Sequence, residues 1–279
     1  MTNFAIEMQA REKETIARWI EHRLYRGFYT FSYRDVENDF PSRDEIYIST
    51  AISRLVRQQK IISPTRGFYV IIPVEYALTG LVPATFYIDQ MMTYLDRAYY
   101  VGLLNAAGFY GAAHQRPQTF TIMNDGASIR DGVRAGIYFT YINRKSIDSR
   151  FVTKHKTKLG SINVSSPELT AIDLIENQSK VGGLNRVCTV LNELADSMDL
   201  ADIEDSYFNI YGVPIYQRLG YILDDILEES ELAEILCDRL KALNVTFRKT
   251  AFKAGKEIAG CEVNEKWKII INQEIDIDE

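Results

Sequence analysis

The stretch of sequence between Tyr47 and Arg66 combines cationic side chains with small hydroxyl side chains. Four cationic residues there could neutralise phosphate groups: Arg54, Arg57, Lys60 and Arg66. Contacts of this kind bind the nucleic-acid backbone and carry no sequence information. Base edges in the major groove could be reached by the hydrogen-bonding side chains of Tyr47, Thr50 and Ser53. The residue types therefore predict contact with double-stranded DNA.

A second basic segment lies between residues 144 and 158. Its six cationic residues are Arg144, Lys145, Arg150, Lys154, Lys156 and Lys158. The last three occupy alternate positions, so a strand would place them on one face. Lysines supply sequence-independent charge neutralisation, and we expect this face to bind DNA backbone rather than bases.

The segment around Pro117 carries four hydrogen-bonding side chains between an apolar stretch and a predicted strand. They belong to His114, Gln115, Arg116 and Gln118. Two interpretations stay open. The segment is either a buried polar corner that joins a helix end to a strand, or a phosphate or partner contact through Arg116.

No motif for metal binding or nucleophilic catalysis stands out. The three histidines are isolated in sequence: His22, His114 and His155. The three cysteines form no CxxC pair, whereas metal sites need clustered ligands. Ser165 and Ser166 lack a GxSxG setting, but either could cap a helix that begins at Pro167. We expect no catalytic residue, no metal and no cofactor, and therefore not an enzyme.

Residues 1–75 contain the signals of three helices. The first helix should bury the face formed by Ile16, Trp19, Ile20 and Leu24 and end near Gly27. The second helix, capped by Ser32, should end before Pro41.

The third helix should begin at a capping box made by Ser42 and Glu45 and extend to Gln59. Its buried stripe should contain Ile48, Ile52, Leu55 and Val56. The opposite stripe then carries the candidate DNA contacts from Tyr47 to Arg57.

A hairpin follows, with a turn at residues 64–66 between two β-strands. Three helices and a basic-tipped hairpin occur in the order of a winged helix-turn-helix, whose third helix enters the major groove. Residues 1–75 are thus predicted to be a DNA-binding domain. Residues 76–279, with interspersed helical and strand patterns, are predicted to be a larger mixed domain, which makes the fold class α+β.

Charge is segregated along the chain. Residues 76–165 carry 10 Lys or Arg against 5 Asp or Glu, whereas residues 166–279 carry 11 against 23. The basic middle part could face a polyanion while the acidic part stays in solvent. No apolar run is long enough to span a membrane, and no signal peptide is evident. The dispersed thiols fit a reducing compartment, so we expect a cytoplasmic protein with no membrane partner.

Five segments, in this order, resemble the AbiEi family of transcriptional regulators, the antitoxins of bacterial abortive-infection systems of type IV. They are SRLVRQQKIISPTRGFYVIIP, YYVGLLNAAGFYGAAHQRPQTFTI, INVSSPELTAIDLI, GGLNRVCTVLNELA and QRLGYILD. None is a catalytic signature, so the specificity of the resemblance comes from their order and number.

The resemblance implies an N-terminal winged helix that binds operator repeats and represses its own operon. It also implies a C-terminal domain that counteracts a nucleotidyltransferase-like toxin, generally without a stable complex. Two alternatives from other classes are a metal-dependent nuclease, with Asp148 beside the lysines, and a protein-interaction module.

Overall fold

The computed structural model describes residues 14–113 and 117–276, which combine α-helices and β-strands in a mixed α/β fold. The chain forms two compact units. The first unit draws on Met1–Tyr99, Asn124–Ile147 and His155–Ile162, and the second on Tyr100–Met123, Asp148–Lys154 and Asn163–Glu279. The domain boundary between residues 75 and 76 stays a prediction.

The first two helices follow the predicted pattern. Helix α1, Ile16–Tyr25, buries Ile16, Trp19 and Ile20, and Gly27 adopts a positive φ of 82° just after it. Strand β1, Thr30–Ser32, leads directly into helix α2, Tyr33–Asp39. Ser32 caps α2, and its side chain and that of Asp35 each bond the other residue's backbone amide. The predicted cap at Ser32 is confirmed.

Helix α3, Glu45–Arg57, begins two residues later than predicted, since its cap moves from Ser42 to Asp44. Its cap is Asp44, whose carboxylate accepts a hydrogen bond of 2.6 Å from the amide of Tyr47, so the predicted box of Ser42 and Glu45 is wrong. A carboxylate at this position also interacts favourably with the positive end of the helix dipole.

The buried stripe of α3 is confirmed at Ile48, Ile52 and Leu55. It is wrong at Val56, which is 37% exposed. At about 100° per residue, Val56 lies roughly 80° around the helix from Ile48, whereas Leu55 lies within about 20° of it.

The hairpin consists of strands β2, Ile61–Thr65, and β3, Phe68–Ile71. The turn is shorter than predicted, because Pro64 and Thr65 belong to β2 and only Arg66 and Gly67 lie between the strands. The sheet order is β1-β3-β2, which places Pro64 on an edge strand, beside a register irregularity between Ile62 and Thr65. Proline has no backbone N–H. An edge strand tolerates it because one side of such a strand has no neighbour that needs a hydrogen bond.

Two short 3-10 turns, Val74–Tyr76 and Ala84–Phe86, lead to helix α4, Ile88–Tyr94. Six strands then form one sheet in the order β6-β7-β5-β4-β9-β8. Their bounds are β4 Tyr99–Val101, β5 Thr119–Asn124, β6 Gly132–Arg134, β7 Ile137–Asn143, β8 Val152–Thr157 and β9 Gly160–Ser165.

The sequence YYVGLLNAAGFYGAA, residues 99–113, predicts one helix, and this prediction is wrong at its start. Tyr99–Val101 form β4, which pairs in parallel with β9, and helix α5 covers only Leu103–Phe109. All three residues of β4 are buried, as in a strand covered on both faces. Aromatic and β-branched side chains favour this state over the helix that the small residues downstream suggested.

The second unit continues with the four helices α6 Pro167–Glu176, α7 Leu184–Leu194, α8 Val213–Tyr221 and α9 Ser230–Ala242. Ser166 caps α6 by accepting from the amide of Leu169, which settles the choice left open between Ser165 and Ser166. The segment EKWKIIINQEID, residues 265–276, has the pattern of a closing strand, and this prediction is confirmed only as β12, Ile269–Ile270. It lies between the two-residue strands β10, Thr250–Ala251, and β11, Val263–Asn264.

Trp267 is the largest fully buried side chain of the described residues, and Gly220 in α8 makes room for it. A Cβ at Gly220 would lie 2.1–2.4 Å from three ring atoms of Trp267. The indole nitrogen of Trp267 also donates to Asp224, at 2.8 Å. The ring is therefore held in place and cannot yield to an added methyl group.

We expect Gly220→Ala to lower the free energy of unfolding by about 1–3 kcal/mol, because overpacking a rigid core forces neighbouring groups apart. Urea unfolding followed by circular dichroism measures this change. The matched control is Gly108→Ala in α5, where an added Cβ finds only ordinary contact at 3.9 Å, so stability should be unchanged or rise. Equal losses in both variants would contradict the contact with Trp267.

Candidate nucleic-acid interface

The exposed face of α3 carries four of the candidate DNA contacts. Thr50, Ser53, Arg54 and Arg57, which we call the α3 strip, are all exposed. Both arginines lie in the last turn of the helix, and the Nε of Arg57 donates weakly to the Ser53 carbonyl at 3.4 Å. The α3 strip therefore combines two guanidinium groups with two hydroxyl groups on one surface.

Tyr47 is half-buried, unlike the residues of the α3 strip. The guanidinium of Arg43 lies 4.8 Å from the centre of its ring, a distance typical of a cation–π contact. Tyr47, Thr50 and Arg54 also line an open groove of about 660 Å³. The opposite wall of the groove includes Thr15, Ile16 and Ala17 at the start of α1.

The two remaining N-terminal candidates have different surroundings. Lys60 is exposed, and its ammonium group lies 3.6 Å from the Glu21 carboxylate, which is also exposed. Such exposed ion pairs contribute about 0–1 kcal/mol, so a phosphate could replace the carboxylate. Arg66 is exposed in the turn between β2 and β3.

Three lysines of the middle segment lie on β8 or directly after it. Lys154 and Lys156 are exposed on β8, and Lys158 is exposed in the turn after it, 3.5 Å from Glu75. Strand β8 is an edge strand of the six-stranded sheet. Its lysines could therefore also serve to prevent the sheet from pairing with a strand of another chain. Arg116, which the sequence also predicts as a contact, lies outside the described residues.

The carboxylate on which a nuclease site would depend is already engaged. Asp148 binds the guanidinium of Arg150 through both carboxylate oxygens, at 3.0 and 2.6 Å. These hydrogen bonds from Arg150 hold the pKa of Asp148 below its usual value. Within residues 14–113 and 117–276, no group of three or more His, Cys, Asp or Glu is placed to hold a metal ion.

The cysteine thiols and the hydroxyls of Ser165 and Ser166 are the side chains that could act as nucleophiles. Burial raises the pKa of the Cys188 thiol to about 12, which keeps it protonated at neutral pH. The Ser165 hydroxyl shares a hydrogen bond of 2.6 Å with Thr170, and Ser166 caps α6. Cys237 is also buried, whereas Cys261 is half-buried.

A buried carboxylate that the sequence did not single out lies in the second unit. Asp173 of α6 is 0% exposed, and it accepts hydrogen bonds from the hydroxyls of Tyr100, at 2.8 Å, and Tyr211, at 2.6 Å. The only signal for it in the sequence is one acid within the apolar run LTAIDLI. Its contacts join α6 to β4 and to the segment before α8.

The segment QRLGYILD also has a structural role. The Gln217 side chain donates to the carbonyls of Arg248, at 2.9 Å, and Trp267, at 2.7 Å. Arg218 donates to the carbonyls of Ala251 and Phe252. These residues therefore fasten the segment that contains β10 and β12 to α8.

The model of the AbiEi antitoxin C-terminal domain family matches residues 100–225 of this chain. The resemblance to this family that the sequence predicts is confirmed over residues 100–225. Four of the five similar segments fall within the match or begin one residue before it, and the segment from Ser53 to Pro73 lies outside it.

Two solved structures are similar to this chain at low sequence identity. The RV2827C protein from Mycobacterium tuberculosis is 14% identical, with 92% of each chain covered and a TM-score of 0.63, so the two share a fold. An antigenic nucleotidyltransferase-like protein from Paracoccidioides brasiliensis is 13% identical over 55% of this chain and 90% of that chain. Its TM-score of 0.37 is too low to indicate a common fold.

No curated protein matches this chain. No helix in the described part of the chain has the length and apolar character needed to cross a bilayer.

We expect Asp173→Ala to lower the free energy of unfolding by about 2–4 kcal/mol, because it removes the acceptor of the buried Tyr100 hydroxyl and of the half-buried Tyr211 hydroxyl. Denaturant unfolding provides the measurement. Asp202→Ala is the control, since it removes an exposed carboxylate from the same unit and should change stability by less than about 0.5 kcal/mol. A loss at Asp173 no larger than the control would contradict its structural role.

Proposed function

We propose that this chain is a DNA-binding autorepressor and an antitoxin of a bacterial type IV toxin–antitoxin system. The observation that carries the DNA-binding half is the exposed α3 strip, directly opposite the buried stripe of the same helix. The elements α1, α2, α3 and the β2–β3 hairpin follow the order of a winged helix-turn-helix. On this proposal, α3 is the recognition helix and the hairpin is the wing.

The proposed contacts divide by chemistry. Arg54, Arg57, Lys60 and Arg66 contact phosphates on the two sides of the recognition helix. Each phosphate that a cation neutralises contributes about −0.9 to the slope of log affinity against log salt. Tyr47, Thr50 and Ser53 reach base edges in the major groove, where each well-formed contact discriminates by about 1–3 kcal/mol.

A further set of backbone contacts is proposed for Arg116, Lys154, Lys156 and Lys158. The exposure of the three lysines supports contact with phosphates, and alternation along β8 places Lys154 and Lys156 on one face of the strand. Lysine contacts of this kind would strengthen binding equally on all DNA sequences. The operator repeats upstream of the chain's own operon would therefore be selected by α3, not by β8.

The antitoxin half of the proposal rests on the family of residues 100–225. We infer that its partner is a nucleotidyltransferase-like toxin, counteracted without a stable complex. The nuclease alternative is not supported by any group of three or more carboxylate, His or Cys side chains placed to hold a metal ion in the described residues, and Asp148 is engaged by Arg150. A protein-interaction role for the winged helix would require an acidic partner surface for the two arginines of the α3 strip.

The DNA-binding half is tested by a gel-shift titration with the DNA upstream of the chain's own gene, at two salt concentrations, against unrelated DNA. We expect selective, salt-sensitive binding by the native chain. Arg54→Ala/Arg57→Ala should weaken it at least tenfold and reduce the salt slope by about 2, because two phosphate contacts are lost.

The control for this titration is Lys249→Ala/Lys256→Ala, which removes two equal charges from exposed positions outside the proposed interface. Binding by the control should match that of the native chain. An unchanged salt slope in the Arg54 and Arg57 variant would exclude phosphate contacts from both residues. Equal affinity of the native chain for both DNAs would contradict autorepression.

The antitoxin half is tested by co-expressing the chain with a nucleotidyltransferase-like toxin encoded beside it and measuring growth. We expect Arg54→Ala/Arg57→Ala to restore growth as well as the native chain, because the antitoxin family lies in residues 100–225. Co-purification should recover little toxin. Loss of protection in this variant, at equal protein level, would show that antitoxin action depends on DNA binding.

A further inference from the structure

The turn of the β2–β3 hairpin is held by a side chain from outside the first 75 residues. The hydroxyl of Tyr94, at the end of α4, donates a hydrogen bond of 3.2 Å to the carbonyl of Arg66. The ring of Tyr94 also packs against Phe68, with 5.5 Å between the ring centres. One side chain thus contacts both the turn and the first residue of β3.

Gly67 fits this contact in two ways. Its φ of 77° lies in the left-handed region that favours glycine. A Cβ at this position would also lie 2.5 Å from the hydroxyl oxygen of Tyr94. The turn and the tyrosine are therefore matched in shape.

A second side chain, that of Arg134, contacts strand β2 beside the turn. Arg134 of β6 donates from Nη1 to the carbonyl of Pro64, at a long distance of 3.5 Å. Its position is set by a hydrogen bond of 3.1 Å to the Arg130 carbonyl and by the ring of Tyr141, 5.5 Å away. The turn and the end of β2 are thus contacted through backbone carbonyls, and β3 through the ring of Phe68, while Arg66 stays exposed.

We propose that Tyr94, assisted by Arg134, is a positioning residue that sets where Arg66 meets the DNA backbone. This inference rests on the proposed function of the hairpin as a wing. A two-stranded hairpin has little stability of its own, so the location of its tip depends on what packs against it. Arg134 lies within the antitoxin family match, which makes DNA affinity depend on residues of that domain.

The inference is tested by a double-mutant cycle on DNA affinity. Tyr94→Phe removes the hydroxyl and keeps the ring on Phe68, while Arg66→Ala removes the guanidinium and keeps the carbonyl that Tyr94 contacts. We expect Tyr94→Phe to weaken binding to upstream DNA about two- to tenfold, the range expected for one lost hydrogen bond. In the Arg66→Ala background the same change should have no further effect, because the group being positioned is absent.

Two further variants complete the experiment. Arg134→Met, which keeps much of the aliphatic stem, should weaken DNA binding, as Tyr94→Phe does. In the Arg66→Ala background, Arg134→Met should have no further effect on DNA binding. Tyr138→Phe removes an exposed hydroxyl from β7 of the same unit and should leave binding unchanged. Trypsin should cleave after Arg66 faster in Tyr94→Phe than in Tyr138→Phe, because the turn is released.

The outcomes separate this inference from the function on which it rests. Native protein that binds upstream DNA, with additive effects of Tyr94→Phe and Arg66→Ala, overturns the positioning role alone. Unaltered trypsin cleavage together with unaltered affinity in Tyr94→Phe also overturns it. Native protein that binds no DNA overturns the proposed function and, with it, the role of Tyr94.

Discussion

Burial of one stripe of α3 is the constraint on which the rest of the proposed interface depends. Ile48, Ile52 and Leu55 are each at most 4% exposed, in a core that they share with Trp19 and Phe31. Burying each such aliphatic side chain is worth about 1.5–3 kcal/mol. Rotation of α3 about its axis would expose all three, so the opposite strip must point outward. The orientation of the α3 strip is therefore a consequence of apolar packing, which the polar residues themselves do not determine.

Electrostatics then decides which of the cations can serve a polyanion. Lys60 and Lys158 each face one carboxylate across exposed pairs of 3.6 and 3.5 Å, and such pairs are weak and screened by salt. Arg150 differs because it binds Asp148 through two of its nitrogens at short distance. It would have to give up that paired geometry to contact a phosphate. The cationic residues of the middle segment are therefore unequal, although their charges are the same.

The second unit is organised by buried polar contacts that constrain residue type strongly. Asp173 needs the hydroxyls of Tyr100 and Tyr211, while Gln217 needs the carbonyls of Arg248 and Trp267. A buried polar group left without its partner costs about 1–3 kcal/mol, so such residues cannot be exchanged singly. Segments such as YYVGLLNAAG, LTAIDLI and QRLGYILD thus carry a structural signature of the antitoxin domain. Their distinctive residue types therefore have a structural explanation.

The sequence by itself determined the local features of the chain. The capped helix after Ser32, the buried stripe from Ile48 to Leu55 and the hairpin all follow from short-range rules of capping, periodicity and turn chemistry. Local rules failed where several competing signals lay within a few residues. Asp44 replaced Ser42 as the cap of α3, and Tyr99–Val101 became a strand because it pairs with a parallel strand some sixty residues away.

Only the tertiary structure brought Tyr94 and Arg134 to the hairpin, and Tyr100 and Tyr211 to Asp173. Those contacts join residues 28–73 positions apart, and no periodicity in a single sequence records which distant side chain will satisfy a given carbonyl or carboxylate.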